Sequence, residues 1–409
     1  MRKIMTMAVA VALVGATSYA DLQNVEVGGS IRIRGNSYIN PGADDANETS
    51  AYTEQRTTVN LSSDFSDDDS TFIEFDNYGN WGDDTRDIVG GDTGASGNSQ
   101  ANIYQAYVEL GQVFDRDASI RIGRQEVQLG SEFLIGNNDT AGQFTGLSFD
   151  GITSRYNFGT SFNVTLLNLK VVEGNNAAFG DTDINLRGIY GSYTGIEDLV
   201  IDGYVLQLRT GNLGASLTEN GDFYTYGARV AGNAGGFDYE VEVALQDGDM
   251  GSTTGPSGLD AEGMAVNAEV GYTFDTNVQP RIFLGYTLLE GPDGSDAGFN
   301  RLFSDWEYSE FLGNTDITNM NIYRIGFSIQ ATEKIGLSVV ETLFELDEDI
   351  GGEDEVGSEF GLYATYAYSE DVSVEVGYAH FFNGDLIEDG VGTTEEDPDY
   401  LYAEISISF

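Results

Sequence analysis

Leu401-Tyr402-Ala403-Glu404-Ile405-Ser406-Ile407-Ser408-Phe409 alternates to its last residue, with Leu401, Ala403, Ile405, Ile407 and Phe409 on one face of an extended chain. Successive side chains of a strand point to opposite sides, so this is a strand with one apolar face. The same period runs back along the chain. In 25–35, Val25, Val27, Ile31 and Ile33 oppose Glu26, Ser30, Arg32 and Arg34. In 237–246, Phe237, Tyr239, Val241, Val243 and Leu245 oppose Asp238, Glu240, Glu242 and Gln246. In 264–274, Met264, Val266, Val270, Tyr272 and Phe274 oppose Asn267, Glu269 and Thr273.

About eighteen such segments are expected, near 24–35, 53–65, 70–78, 101–111, 118–127, 148–158, 161–173, 185–193, 198–210, 222–231, 236–247, 262–274, 279–289, 318–330, 335–346, 358–368, 372–383 and 399–409. Many are long enough to cross a bilayer at a tilt, where a soluble sandwich would use shorter strands. Short turns such as Ser66-Asp67-Asp68-Asp69 and Asn233-Ala234-Gly235 alternate with long polar connections at 36–52, 79–100, 128–147, 290–317 and 384–398. Short turns on one rim and long loops on the other predict an all-β transmembrane antiparallel barrel. Eighteen strands then give eight short turns, nine long loops and both termini on the short-turn side. An aromatic last residue, Phe409, with apolar residues two and four positions earlier looks like a substrate of the barrel-assembly machinery.

Composition agrees. The 409 residues carry 68 Asp+Glu against 18 Lys+Arg, a formal net charge of −50, with 53 Gly, 23 Tyr, 23 Phe, one His and no Cys. Gly and aromatics at this density suit neither a helical bundle nor a disordered acidic chain. So negative a chain repels phosphate backbones, which excludes nucleic acid as a partner. The absence of Cys excludes disulfide frameworks and thiolate zinc sites. Arg2 and Lys3, the apolar run 4–16 and Ser18-Tyr19-Ala20 predict a cleaved signal peptide over 1–20, with the barrel over 21–409.

Inside such a barrel the inward face meets water, so parity nominates pore-lining groups. Arg32, Arg34, Arg56, Arg121, Arg155, Arg209, Arg229, Arg281 and Arg324 lie opposite the apolar face, as do Glu74, Asp76, Glu240, Glu242 and Glu269. Arg124 falls on the wrong parity, and a bulge at Gly123 is expected to turn it inward. Arginines in the early strands and acids in the late ones suggest a positive wall facing a negative wall. Loops 128–147 and 290–317 are candidates to fold into the pore. The acidic run from Glu345 reads as a solvated connection; Asp347, Asp349, Glu353 and Asp354 are weak Ca²⁺ candidates, and no other cofactor is expected. The single His380 follows the parity of Val372, Val374 and Val376, which places it on the lipid side and argues against an enzyme.

Three stretches resemble the alginate-export family of outer-membrane porins: Ile122-Gly123-Arg124-Gln125-Glu126 with Leu129-Gly130, Leu134-Ile135-Gly136 and Phe149-Asp150-Gly151; Phe299 to Asp316; and Val374 to Ile387. The resemblance implies an eighteen-stranded barrel in the outer membrane. It also implies passage of an anionic saccharide past an arginine lining, with Arg124 the first position to match. The expected partners are outer-membrane lipid and a hydrophilic solute, with an acidic saccharide as one candidate. Two alternatives stand beside this: a general porin preferring small cations because of its acidic mouth, and a structural or adhesive barrel with a closed lumen.

Overall fold

The computed structural model describes residues 23–40, 49–82, 101–139, 144–176, 180–181, 183–211, 221–250, 259–294, 296–312, 317–388 and 396–409. The expected signal segment lies outside them. Eighteen antiparallel strands form one sheet that closes on itself. They are β1 Gln23–Ile39, β2 Thr49–Asp64, β3 Asp69–Asn80, β4 Asn102–Leu110, β5 Ala118–Gln125, β6 Phe149–Phe158, β7 Phe162–Val172, β8 Ile184–Ile196 and β9 Leu199–Thr210, followed by β10 Gly221–Ala234, β11 Phe237–Asp249, β12 Gly263–Thr273, β13 Arg281–Leu289, β14 Met320–Thr332, β15 Ile335–Ile350, β16 Glu353–Ala367, β17 Val372–Asn383 and β18 Asp399–Ser408. Closure comes from β18 lying against β1, with Ile407 opposite Ile31 and Leu401 opposite Ser37. A closed sheet leaves no unpaired edge, which an apolar solvent requires. Among the described residues no helix is long and apolar enough to cross a membrane.

The two faces follow the sequence period. Val241, Val243 and Leu245 of β11 stand outward and exposed, while Glu242, Ala244 and Gln246 between them are buried. The first described residue, Gln23, and the last, Phe409, lie at the short-turn rim, with Phe409 bonded to Gly29.

One connection is shorter than expected. The acidic run after Glu345 continues β15 and starts β16, and the chain reverses at Gly351-Gly352. Both glycines have positive φ, 72° and 98°, as a two-residue hairpin turn needs. Strand spacing by polarity missed this because a hairpin standing in water gains nothing from apolar alternation. The Ca²⁺ candidates therefore sit on hairpin arms. Asp347 accepts the Gly291 N–H and the Asn321 amide, and Asp349 accepts the Gly352 N–H. Among the described residues no three carboxylates or imidazoles converge on a point where a cation would sit.

The inward face is not polar throughout. Leu167, Leu169, Leu186, Leu206, Phe223, Ile322 and Phe344 point inward near the long-loop ends of their strands and form one apolar cluster. It is covered by the described residues of two loops, 126–139 with 144–148 and 290–294 with 296–312 and 317–319, whose Phe133, Ile135 and Phe299 are almost completely buried. Fully burying each such side chain contributes about 1.5–3 kcal/mol, enough to draw the loops inside.

Candidate functional site: a plugged, charge-paired lumen

The two inward loops join each other before they meet the wall. Phe303 N–H donates to the Leu134 carbonyl (2.9 Å), Gly136 N–H to Phe303 (2.8 Å) and Asp305 N–H to Glu132 (3.0 Å). The Trp306 indole N–H donates to the Ser131 carbonyl at 2.6 Å, and Phe133 packs edge-on against its ring. This joined unit is a plug.

Charged wall residues hold it. Arg324 donates to Glu269 (2.8 Å) while its guanidinium lies over the Trp306 and Tyr308 rings. Glu359 accepts the Ser309 hydroxyl and the Glu310 N–H. Asp139, at the far end of the first loop, accepts Arg32 at 3.0 Å and Arg56 at 2.8 Å. Phe144 of the same loop lies against Arg32 and Arg34, 4.4 and 5.2 Å from their guanidinium carbons.

Two cavities flank Ser309-Glu310. One of about 310 Å³ is lined by Glu307, Arg324, Thr342, Glu359, Tyr363 and Glu375. The other, of about 220 Å³, is lined by Arg34, Glu54, Tyr38, Tyr52, Tyr78 and Tyr400. Tyr38 and Tyr400 stack with centroids 4.3 Å apart, which stiffens that wall.

Burial pushes the Glu310 carboxyl up to about 8 from an ordinary 4.5, and the Glu359 and Glu307 carboxylates add to the shift. Arg34 and a hydrogen bond with Tyr363 oppose it. A carboxyl raised in the folded state favours its protonated form, so the loop's inward placement is firmest at low pH and weakens as pH rises from about 4.5 to 8. Conductance is accordingly expected to rise across that window, and Glu310→Gln to flatten the profile. A wild-type conductance independent of pH there would contradict this.

The nominated arginines divide in two. Arg32, Arg34, Arg56, Arg121, Arg155, Arg229, Arg281 and Arg324 face the lumen. Arg34 and Arg32 share Glu404, at 2.9 and 3.2 Å, and Arg56 also approaches Asp76 at 3.5 Å. Arg121 holds Glu109 (2.7 Å), Arg281 holds Asp238 and Glu269, and Arg155 bonds the neutral Asn157. Arg229 is clamped between Asp202 (2.8 Å) and Glu240 (2.6 Å). Removing one partner of a buried ion pair leaves its acids uncompensated. Arg229→Ala is therefore expected to destabilise the barrel by about 3 kcal/mol, read as a lower heat-modifiability midpoint on a gel. An unchanged midpoint would make the clamp energetically neutral.

Arg124 and Arg209 do not line the pore. Arg124 pairs in register with Ala106 and Asp150 on the outward face, beside Ile122 and Ile152, and makes two 2.8 Å bonds to Asp150. Gly123 has a positive φ of 134°, yet strand parity continues through it, and Gln125 is the next residue to point inward. Arg209 shares the outward face of β9 with Ile201 and Val205.

The expected separation into a positive and a negative wall is also replaced. Each ion-paired inward arginine has a carboxylate on the plug or on a strand one or two places away. Further inward acids are held by neutral donors: Glu54 by Asn36 and Tyr78, Glu74 by Gln105, Glu126 by Tyr104, Glu242 by Tyr204, Glu375 by Tyr402. Acids therefore outnumber guanidinium groups along the described lumen. His380 stands outward, its Nδ1 2.9 Å from Asp399.

Sequence parity missed the apolar inner cluster, Asp139 and Glu310. The first left a signal: Val205-Leu206 and Leu166-Leu167 are apolar on both faces just where alternation should persist.

A family model described as alginate export matches residues 23–399. Similar solved structures include Pseudomonas aeruginosa OpdQ, with a TM-score of 0.61, 10% identity and coverage of 94% of this chain and 98% of that one. Acinetobacter baumannii OccAB4 has a TM-score of 0.59 at 12% identity, covering 96% of this chain and 100% of that one. The outer membrane protein OprD from Pseudomonas aeruginosa has a TM-score of 0.59 at 10% identity, covering 96% and 95%. At these identities the likeness is one of fold. No curated protein matches the chain.

Proposed function

From the premise that this chain belongs to the alginate-export family of outer-membrane β-barrels, we propose that it is a passive, plug-narrowed channel for hydrophilic solutes that prefers cations to anions. The observation that carries the preference is the pairing of the lumenal arginines. Arg32, Arg34, Arg56, Arg121, Arg229, Arg281 and Arg324 each already hold a carboxylate, while Glu54, Glu74 and Glu375 are further inward carboxylates hydrogen-bonded to neutral donors. Fixed charge of one sign in a narrow pore raises the local concentration of the opposite ion. No bond-making step is assigned to the barrel.

The test is the reversal potential of the purified barrel in a planar bilayer under a potassium chloride gradient. A potential on the cation side is expected. Anion selectivity would overturn the proposal, and absence of conductance would favour a structural barrel.

One observation supports a second reading, passage of an acidic saccharide. Asp139 is the most exposed member of its ion-paired cluster, 38% against 14% and 3% for Arg32 and Arg56. Its carboxylate occupies the place that a solute carboxylate would take between two guanidinium groups. On this reading Asp139 is a built-in competitor for the site.

A further inference from the structure

The open spaces of the lumen lie one above the other. Tyr38, Tyr52 and Tyr400, which line the cavity of about 220 Å³, stand where β1, β2 and β18 meet their long loops. Ser338, Tyr363, Thr365 and Glu375, which line the cavity of about 310 Å³, stand in the short-turn halves of β15, β16 and β17. Ser309 and Glu310 line both, as a septum between an upper and a lower space.

The lower cavity is roofed by aromatic rings. Phe344 of β15 and Phe381 of β17 are buried with centroids 6.0 Å apart, and Phe311 of the plug meets Phe381 at 5.9 Å. The upper cavity is floored by Arg34, Arg56 and Phe144, all buried. Arg34 is bonded to Glu404 and lies 4.4 Å from the Tyr402 ring, and Arg56 lies 4.7 Å from the Tyr104 ring. On the rest of the wall the inward Gln105, Gln125, Thr225, Gln246, Asn267 and Thr287 are buried as well. Close packing of that kind leaves no room for a solute.

Toward the short turns the lower cavity is open. It shares Ser338, Tyr363 and Thr365 with a cavity of about 340 Å³ that reaches Gln279 and Gln330. The next inward residues of β16, β17 and β18 after Thr365, Glu375 and Tyr402 are Ala367, Ser373 and Glu404. These line a third space of about 460 Å³, together with Asp139 and with Asp371 of the β16–β17 turn. Among the described residues, the spaces therefore trace one oblique route, from the tyrosines of β18, β1 and β2 down to the short turns beneath β14–β18. Its two halves meet at Ser309-Glu310.

We propose that solutes cross from the upper to the lower cavity beside the Glu310 side chain, which makes Glu310 the specificity-determining position of the channel. A group in this place acts twice. Its bulk narrows the crossing, and any charge it carries meets each ion at contact distance. The inference rests on the reading of the barrel as a channel, and it holds whichever ion the channel prefers.

The chain has no Cys, so an introduced thiol is the only one. Glu310→Cys and Thr225→Cys are each recorded in a planar bilayer before and after a cationic and an anionic methanethiosulfonate reagent. Glu310→Cys is expected to raise conductance about twofold, and either adduct to bring it down again by about half. The cation-to-anion permeability ratio should be about threefold higher with the anionic adduct than with the cationic one. At the packed Thr225 position neither reagent should change the current. If Glu310→Cys does not fold, Ser338→Cys in the lower cavity is read instead, with the same loss of current on modification. Adducts at position 310 that leave conductance and selectivity unchanged, or a block from Thr225→Cys, would overturn the route while the channel reading stands. An anion-selective wild type still blocked at position 310 would overturn the cation preference and keep the route. A wild type without conductance would overturn both.

Discussion

Replacing residues 299–312 with a short Gly-Ser linker is expected to raise single-channel conductance several-fold. This segment carries Phe299, Phe303, Trp306 and Tyr308, the side chains that fill the bore between the wall and the first loop. It also supplies Ser309 and Glu310, which separate the two cavities. The eighteen strands pair with one another without its help, so the barrel should still close. Loss of the segment exposes the inward Leu206, Ile322 and Phe344, and the first loop loses its partner strand at Ile135. Stability should therefore fall while conductance rises. The readout is conductance in a planar bilayer, with barrel content checked by circular dichroism. A folded deletion variant that conducts no better than wild type would show that the narrowest point lies elsewhere.

Asp139→Asn is expected to lower the cation preference several-fold and to let small uronates block the current. The substitution keeps the side chain's shape and removes the one charge that Arg32 and Arg56 share. Arg32 keeps Glu404 and Arg56 keeps Asp76, so neither is abandoned and the fold should survive. A unit charge about 5 Å from an ion's path, at an effective dielectric of 20, is worth about 3 kcal/mol, ample for a several-fold change after screening. Reversal potential and uronate block are measured on the same channels. An unchanged selectivity would place the conduction path away from this cluster. A shift in selectivity without block would retain the ion pathway and remove the support for acidic saccharide.

The strands were readable because a membrane imposes one rule on every spanning segment: apolar outward, period two. That rule holds at Val241, Val243 and Leu245 as at Ile405 and Ile407, and it also placed His380 outward. It lapsed where the membrane stops acting. The arms of β15 and β16 extend into water as a hairpin, and the acidic run there looked like a loop. The inward arginines Arg32, Arg56 and Arg324 were legible by parity, but parity says nothing about partners. Arg124 faces outward against its expected place because a glycine permits a bulge without imposing one, and the register between Ala106 and Asp150 runs on unchanged.

The sequence by itself determined the number of strands, their direction and, Arg124 and Arg209 apart, which face of each strand turns outward, because solvent polarity acts on each residue locally. Only the tertiary structure decided what fills the bore and which charges cancel. Asp139 lies 107 residues from Arg32, and Ser131 lies 175 residues from Trp306. No periodicity encodes such distances; they come together because the cylinder closes and its inner apolar cluster draws two loops onto it.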